Sequence, residues 1–84
     1  MTQVTIYSKE TCPYCTMAKN LLKQKGFNNI NEIRIDLDPE QKDIMIKKSG
    51  GRMTVPQIFI EERHIGGFDD LSALNRSGEL DKLK

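Results

Sequence analysis

An α/β fold, with a four-stranded mixed sheet flanked by three helices, is what this 84-residue chain predicts. Three observations predict it. Short β-branched and aromatic runs occur near Val4, Ile33 and Ile58. Apolar residues at helical spacing fill the intervals between and after them. Glycine and proline mark the joins. At this length the chain makes a single domain, 1–84, at the small end of what folds without staples.

Val4-Thr5-Ile6-Tyr7 reads as the first strand. A loop from Ser8 to Thr11 leads to a helix with Thr11 or Cys12 at its cap. Pro13 falls in the first turn, where its missing N–H removes no bond. Met17, Ala18, Leu21 and Leu22 form the apolar stripe of this helix, and Gly26 ends it. Cys15 projects to the edge of the stripe, and Cys12 stands at the helix mouth. Glu32 to Leu37 alternates around Ile33 and Ile35 and predicts the second strand. Asp38-Pro39-Glu40-Gln41 is a helix entry: Asp38 caps, Pro39 takes the first position and Gln41 closes a capping box.

That second helix runs through Ile44, Met45 and Ile46. Lys47 and Lys48 lie at its negative end, and Gly50-Gly51 stops it. Pro56 opens the apolar strand Gln57 to Ile60, where Gln57 reads as a solvent-facing residue with no assigned role. Glu61 to Arg63 turns tightly into a short strand, Arg63 to Ile65. Gly66-Gly67 follows, then a helix from about Asp69 to Ser77 with Leu71 and Leu74 inward. A βαβ start implies parallel neighbours and a right-handed crossover, and the later hairpin adds antiparallel pairing. The order βαβ, α, ββ, α is a minimal thioredoxin-like architecture.

Composition narrows the function. Hydrophobic residues make up 37% of the chain and mean hydropathy is −0.55, which suits a soluble globular protein. No stretch approaches the roughly 18–20 apolar residues of a bilayer span, so no membrane role is expected. Met1 to Tyr7 lacks a basic flank followed by an apolar run, so no secretory signal is expected. Thirteen basic and twelve acidic residues nearly cancel, which argues against a nucleic-acid partner. The densest basic cluster, Lys47, Lys48 and Arg52, reads as a solvated helix end. Two cysteines and no signal favour a reducing compartment, the cytoplasm. Structural zinc needs four ligands, and beyond the cysteines only His64 is available, so no metal is expected.

Cys12-Pro13-Tyr14-Cys15 carries the chemistry. Two thiols three positions apart close a small disulfide ring and reopen it, and in this context the spacing reads as a redox site. A free thiol, with a pKa of about 8.5, is mostly protonated at neutral pH. Three features favour the Cys12 thiolate: the unpaired N–H groups and positive dipole end of the helix, a hydrogen bond from the Cys15 thiol, and the charge of Lys9. Exchange proceeds when a thiolate attacks a disulfide sulfur, so Cys12 is the expected nucleophile and Cys15 the resolving thiol. Pro13 fixes the first turn. Tyr14 reads either as a half-buried ring with a wet hydroxyl or as a wall of a substrate groove. His64 reads as a surface residue.

At this point the chain resembles the dithiol glutaredoxins, most closely the short bacterial glutaredoxin 3 type. Three motifs carry the resemblance: Lys9-Glu10-Thr11-Cys12-Pro13-Tyr14-Cys15, Thr54-Val55-Pro56-Gln57-Ile58-Phe59-Ile60 and His64-Ile65-Gly66-Gly67-Phe68-Asp69-Asp70-Leu71. The resemblance implies a glutathione-dependent thiol–disulfide oxidoreductase, with glutathione as reductant and co-substrate. It implies a cis peptide bond before Pro56, beside the active thiol. The Val55 backbone would pair with the cysteine of glutathione like an added strand, and Thr54 would border the same groove. Gly67, Phe68 and the helix start would receive the γ-glutamyl carboxylate, with Asp69 and Asp70 meeting the α-ammonium or capping the helix. Lys9 would reach the glycyl carboxylate, with Arg52 a weaker claimant to that end.

Two features depart from the family pattern. Phe68 stands where many relatives carry a third cysteine, and Gly50-Gly51 is one residue longer. The resemblance also implies a monomer that serves disulfide-containing or glutathionylated proteins, of which ribonucleotide reductase is one. Two other activities compete with this one. A thioredoxin-like donor reduced by a flavoprotein reductase would carry a Trp-Ser-Gly-Phe stretch near the last helix, and this chain has no Trp. A [2Fe–2S] carrier would have Gly or Ser in place of Pro13.

Overall fold

The computed structural model describes residues 2–84. Its elements run β1 (Gln3–Ser8), α1 (Pro13–Gln24), β2 (Asn29–Arg34), α2 (Pro39–Lys48), β3 (Gln57–Ile60), β4 (Arg63–Gly66), α3 (Phe68–Ser77) and α4 (Glu79–Lys82). One sheet holds the four strands in the order β2-β1-β3-β4. β1 pairs parallel with β2 and antiparallel with β3, and β3 pairs antiparallel with β4. This is the mixed sheet expected of a thioredoxin-like fold.

The strands alternate sides, which divides the core in two. Val4, Ile6, Ile58 and Ile60 face α1, α3 and α4, where they meet Ala18, Leu22, Leu71 and Leu80. Tyr7 and Phe59 face the other way, towards Met45 of α2. Their rings meet edge to face with centroids 5.8 Å apart.

Several boundaries differ from the sequence expectation. β2 begins at Asn29 and ends at Arg34 rather than at Leu37, because its length is set by its partner. Pairing runs from Gln3↔Asn29 to Ser8↔Arg34, and β1 then ends. Ile33 and Ile35 still pack against the Tyr7 side of the core. Leu37 is left 74% exposed.

The buried face of α1 is Cys15, Ala18 and Leu22, so Cys15 lies within the apolar stripe and not at its edge. Met17 is 46% exposed. At the start of α2, Asp38 accepts the Glu40 N–H at 3.2 Å, but the reciprocal Gln41 bond of a capping box does not form. β4 runs one residue further than expected, to Gly66, and α3 starts one residue earlier, capped by Gly67. The short helix α4 lies outside the sequence expectation. It follows Gly78, whose φ of 82° separates it from α3, and it brings Leu80 fully into the core.

Candidate active site

The first turn of α1 presents the dithiol. Cys12 is the N-cap, with extended backbone at φ −142° and ψ 91°, and Pro13 starts the helix. The two cysteines are joined in a disulfide, with Cα atoms 5.2 Å apart. Cys15 is 2% exposed, whereas Cys12 is only partly buried. The Cys15 N–H donates to Cys12 Sγ at 3.2 Å, so a helix N-terminal donor points at this sulfur. Such a donor stabilises developing negative charge when the bond opens. The Val55 carbonyl lies 4.0 Å from Cys12 Sγ, a proximity without a hydrogen bond, since a disulfide sulfur carries no proton.

The peptide bond between Val55 and Pro56 is cis. Beside it opens a cleft of about 400 Å³, lined by Tyr14, Arg52, Thr54, Val55, Pro56, Gly67, Phe68, Asp69 and Asp70. Tyr14 is 58% exposed and leans on Phe68, with ring centroids 5.9 Å apart. It is therefore a wall of the cleft. Lys9 is exposed on the loop before Cys12 and does not line the cleft.

At the far end, Asp70 reaches back to the start of its own helix. Its Oδ2 accepts the Gly67 N–H at 3.0 Å. Gly67 has no side chain to cap α3, and Asp69 makes no side-chain hydrogen bond among the described residues. The same Asp70 oxygen pairs with Arg52 Nη1 at 3.3 Å. Arg52 thus lies at the Asp70 end, not with Lys9. Both side chains are nearly half exposed, and such pairs contribute only about 0–1 kcal/mol, so a charged ligand can displace the contact. Gly66 makes room for the pair. Its φ is +117°, and a Cβ there would meet Asp70 Cγ at 2.8 Å and Arg52 Nη1 at 3.1 Å.

Two residues behind the cleft differ from their sequence reading. Gln57 is fully buried, not solvent-facing. Its Nε2 donates to the Thr54 carbonyl at 3.0 Å and to Thr54 Oγ1 at 3.2 Å. His64 is partly buried, its Nε2 lies 2.8 Å from Gln57 Oε1, and its ring packs on Phe59. Burial, helped by the nearby Arg52, pushes the His64 imidazole below its ordinary pKa. Period two was the available signal. Gln57 shares a strand face with Phe59, so a buried Phe59 implies a buried Gln57.

A redox-active disulfide at the mouth of a helix, beside a cis-proline turn on a thioredoxin-like sheet, defines a thiol–disulfide oxidoreductase. The comparisons specify which kind. The glutaredoxin family model matches residues 4–65. Glutaredoxin 3 of Escherichia coli (strain K12) is 55% identical over 83 residues, covering 99% of this chain and 98% of that protein. The solution structure of glutaredoxin from Brucella melitensis superposes with a TM-score of 0.82 at 49% identity, covering 99% of this chain and 88% of that one. A buckwheat glutaredoxin–glutathione complex superposes with a TM-score of 0.84 at 30% identity, covering 98% and 76%. The chain belongs to the glutaredoxin family. Its activity is glutathione-dependent thiol–disulfide exchange.

Proposed function

We propose that Cys12 is the attacking thiol of this exchange and that the cleft from Tyr14 to Asp70 seats glutathione. The observation that carries the proposal is the position of Cys12 Sγ. It receives a helix N-terminal N–H at 3.2 Å and lies 4.0 Å from the Val55 carbonyl that borders the cleft.

In the monothiol route, the Cys12 thiolate attacks the glutathione sulfur of a protein–glutathione mixed disulfide. That bond breaks, the protein thiolate leaves, and Cys12 carries the glutathione. The thiolate of a second glutathione attacks that sulfur, giving glutathione disulfide and restoring the Cys12 thiolate. In the dithiol route, Cys12 attacks a protein disulfide, and Cys15, one turn inside the helix, attacks the Cys12 sulfur of the mixed disulfide. The client leaves as a dithiol, and the Cys12–Cys15 disulfide is reduced by two glutathione molecules.

Backbone groups of Val55 pair with the cysteine of glutathione, and Thr54 borders that strand edge. The α-ammonium meets Asp70 and displaces Arg52 from it. The free N–H groups at the start of α3, at Phe68 and Asp69, receive the γ-glutamyl carboxylate. Lys9 attracts the glycyl carboxylate from outside the cleft. Charge placement of this kind sets orientation more than affinity. The same reading takes the chain as one domain and a monomeric cytoplasmic reductant, with ribonucleotide reductase among the kinds of client it fits. No helix among the described residues is long and apolar enough to cross a membrane.

The test is a reduction assay coupled to glutathione and its reductase, run on wild type and two variants. Cys12→Ser abolishes both routes. Cys15→Ser retains deglutathionylation and loses most protein-disulfide reduction. Turnover by Cys12→Ser would refute the nucleophile assignment. Turnover with thioredoxin reductase and none with glutathione would refute the seating of glutathione in the cleft.

A further inference from the structure

We propose that Gln57 and His64 are a positioning pair that holds the Thr54–Val55 backbone at the cleft edge and thereby sets the affinity for glutathione. The inference rests on the glutathione reading above, and names residues that act on that site from behind. Gln57 sits fully buried at the head of β3, where it pairs in register with Tyr7 and shares a face with Phe59. An apolar side chain would fill such a slot without polar atoms to satisfy. Every polar atom of the Gln57 amide is instead committed. Both Nε2 bonds go to Thr54, one to its carbonyl and one to its hydroxyl oxygen. A flipped amide would set two oxygens against each other at the carbonyl, so the orientation is determined by its partners.

With Nε2 donating to Thr54, Oε1 only accepts, and His64 must carry its hydrogen on Nε2. Burial favours the neutral form of that imidazole. Its ring is held by Phe59, with centroids 4.9 Å apart and planes inclined at 34°. A β-bulge contributes to this placement. The register passes from Phe59↔His64 directly to Ile58↔Gly66, leaving Ile65 without a partner. The clamp therefore runs from β4 through Gln57 to both the main chain and the side chain of Thr54. Because the Thr54 hydroxyl oxygen accepts from Gln57, its own proton remains free to donate into the cleft. Val55 follows directly, with its carbonyl 4.0 Å from the Cys12 sulfur. Slack in Thr54 is transmitted to the strand edge on which the tripeptide is proposed to pair.

The experiment compares wild type, Gln57→Met, which keeps length and apolar volume, and His64→Phe, which keeps the ring stack and removes the N–H. Steady-state turnover is measured with glutathione and a glutathionylated cysteine peptide. Cys12 alkylation by iodoacetamide reports thiol reactivity without using the cleft. The expected result is a KM for the glutathionylated peptide raised about tenfold in Gln57→Met, and by less in His64→Phe, because the cleft seats the glutathionyl group this substrate delivers to Cys12. In both variants kcat should stay within about twofold and the alkylation rate should be unchanged. An unchanged KM in folded Gln57→Met would overturn the inference, as would equal losses in kcat and alkylation. Nitrogen NMR of His64 in wild type supplies a test that needs no variant to fold: the Nε2–H tautomer supports the clamp, and the Nδ1–H tautomer overturns it. Wild type without glutathione turnover refutes the functional reading and, with it, the affinity role of the pair. Wild-type turnover with an unmoved KM in the variants refutes the positioning pair alone.

Discussion

Cys12 differs from Cys15 in what each sulfur can meet. One caps α1 with its sulfur 4.0 Å from the Val55 carbonyl at the cleft edge; the other is buried against the apolar face of the helix. Asp70 is the second decisive residue, because one carboxylate both caps α3 at Gly67 and holds Arg52. Asp70→Asn keeps an acceptor for the Gly67 N–H and removes the charge. A KM for the glutathionylated substrate raised by up to about tenfold, with kcat nearly unchanged, is therefore expected in the coupled assay. Gly66→Ala combines a left-handed backbone with a Cβ pressed onto the Asp70 carboxyl carbon. We expect it to lose about 1–3 kcal/mol in thermal or denaturant unfolding. It should also raise the KM for the glutathionylated substrate, because Asp70 must move.

Elements show the same discrimination in their packing. On α1, Leu22 is fully buried while Met17, in the same expected stripe, is 46% exposed. Leu22→Ala should cost about 2–5 kcal/mol in urea unfolding. Met17→Ala should stay within about 0.5 kcal/mol. On β4, His64 has its pKa lowered by burial, with Arg52 acting in the same direction and Asp70 against it. The folded protein thus binds this proton less readily than the unfolded chain. The stability linked to it is complete above about pH 6.5, the ordinary histidine value. It declines as pH falls from there towards the folded pKa. In His64→Phe that part of the pH dependence of the unfolding midpoint should disappear.

Across the whole molecule, the β1–β2–α1 junction is tied by charge. The Ser8 hydroxyl donates to Glu32 at 2.6 Å, and Lys19 of α1 pairs with the same carboxylate at 3.0 Å. These contacts, the Ser8 bond foremost, hold the Glu32 pKa below its usual value of 4.5. Asp36 is held at about 2, against a usual 3.8, chiefly by its hydrogen bond to Arg34. Both carboxylates contribute stability that is complete above their unfolded values. That contribution is lost as pH falls through the folded ones. Glu32→Gln should therefore flatten the acid limb of the stability curve below about pH 4.5, as followed by circular dichroism. Its stability at neutral pH should fall modestly, because the Glu32–Lys19 pair is partly exposed and the new amide carbonyl can still accept from Ser8.

The order of the elements from β1 to α3 and the dithiol at the mouth of α1 were legible from residue type and spacing, and three motifs carried the family resemblance. Each depends on local chemistry: β-branched runs, a proline at a helix start, two thiols one turn apart. Tertiary structure decided where β2 stops, since a strand ends with its partner. It decided that Leu80 enters the core from a helix too short to show a period. It placed Arg52 at the Asp70 end of the cleft, and it buried Gln57 behind Thr54 with His64 as its acceptor's partner. Those outcomes depend on which chain segments meet across the sheet, separated by 7 residues for Gln57 and His64 and 18 for Arg52 and Asp70. Side-chain type records what a residue can bond to, and only the folded chain determines which partner comes within reach.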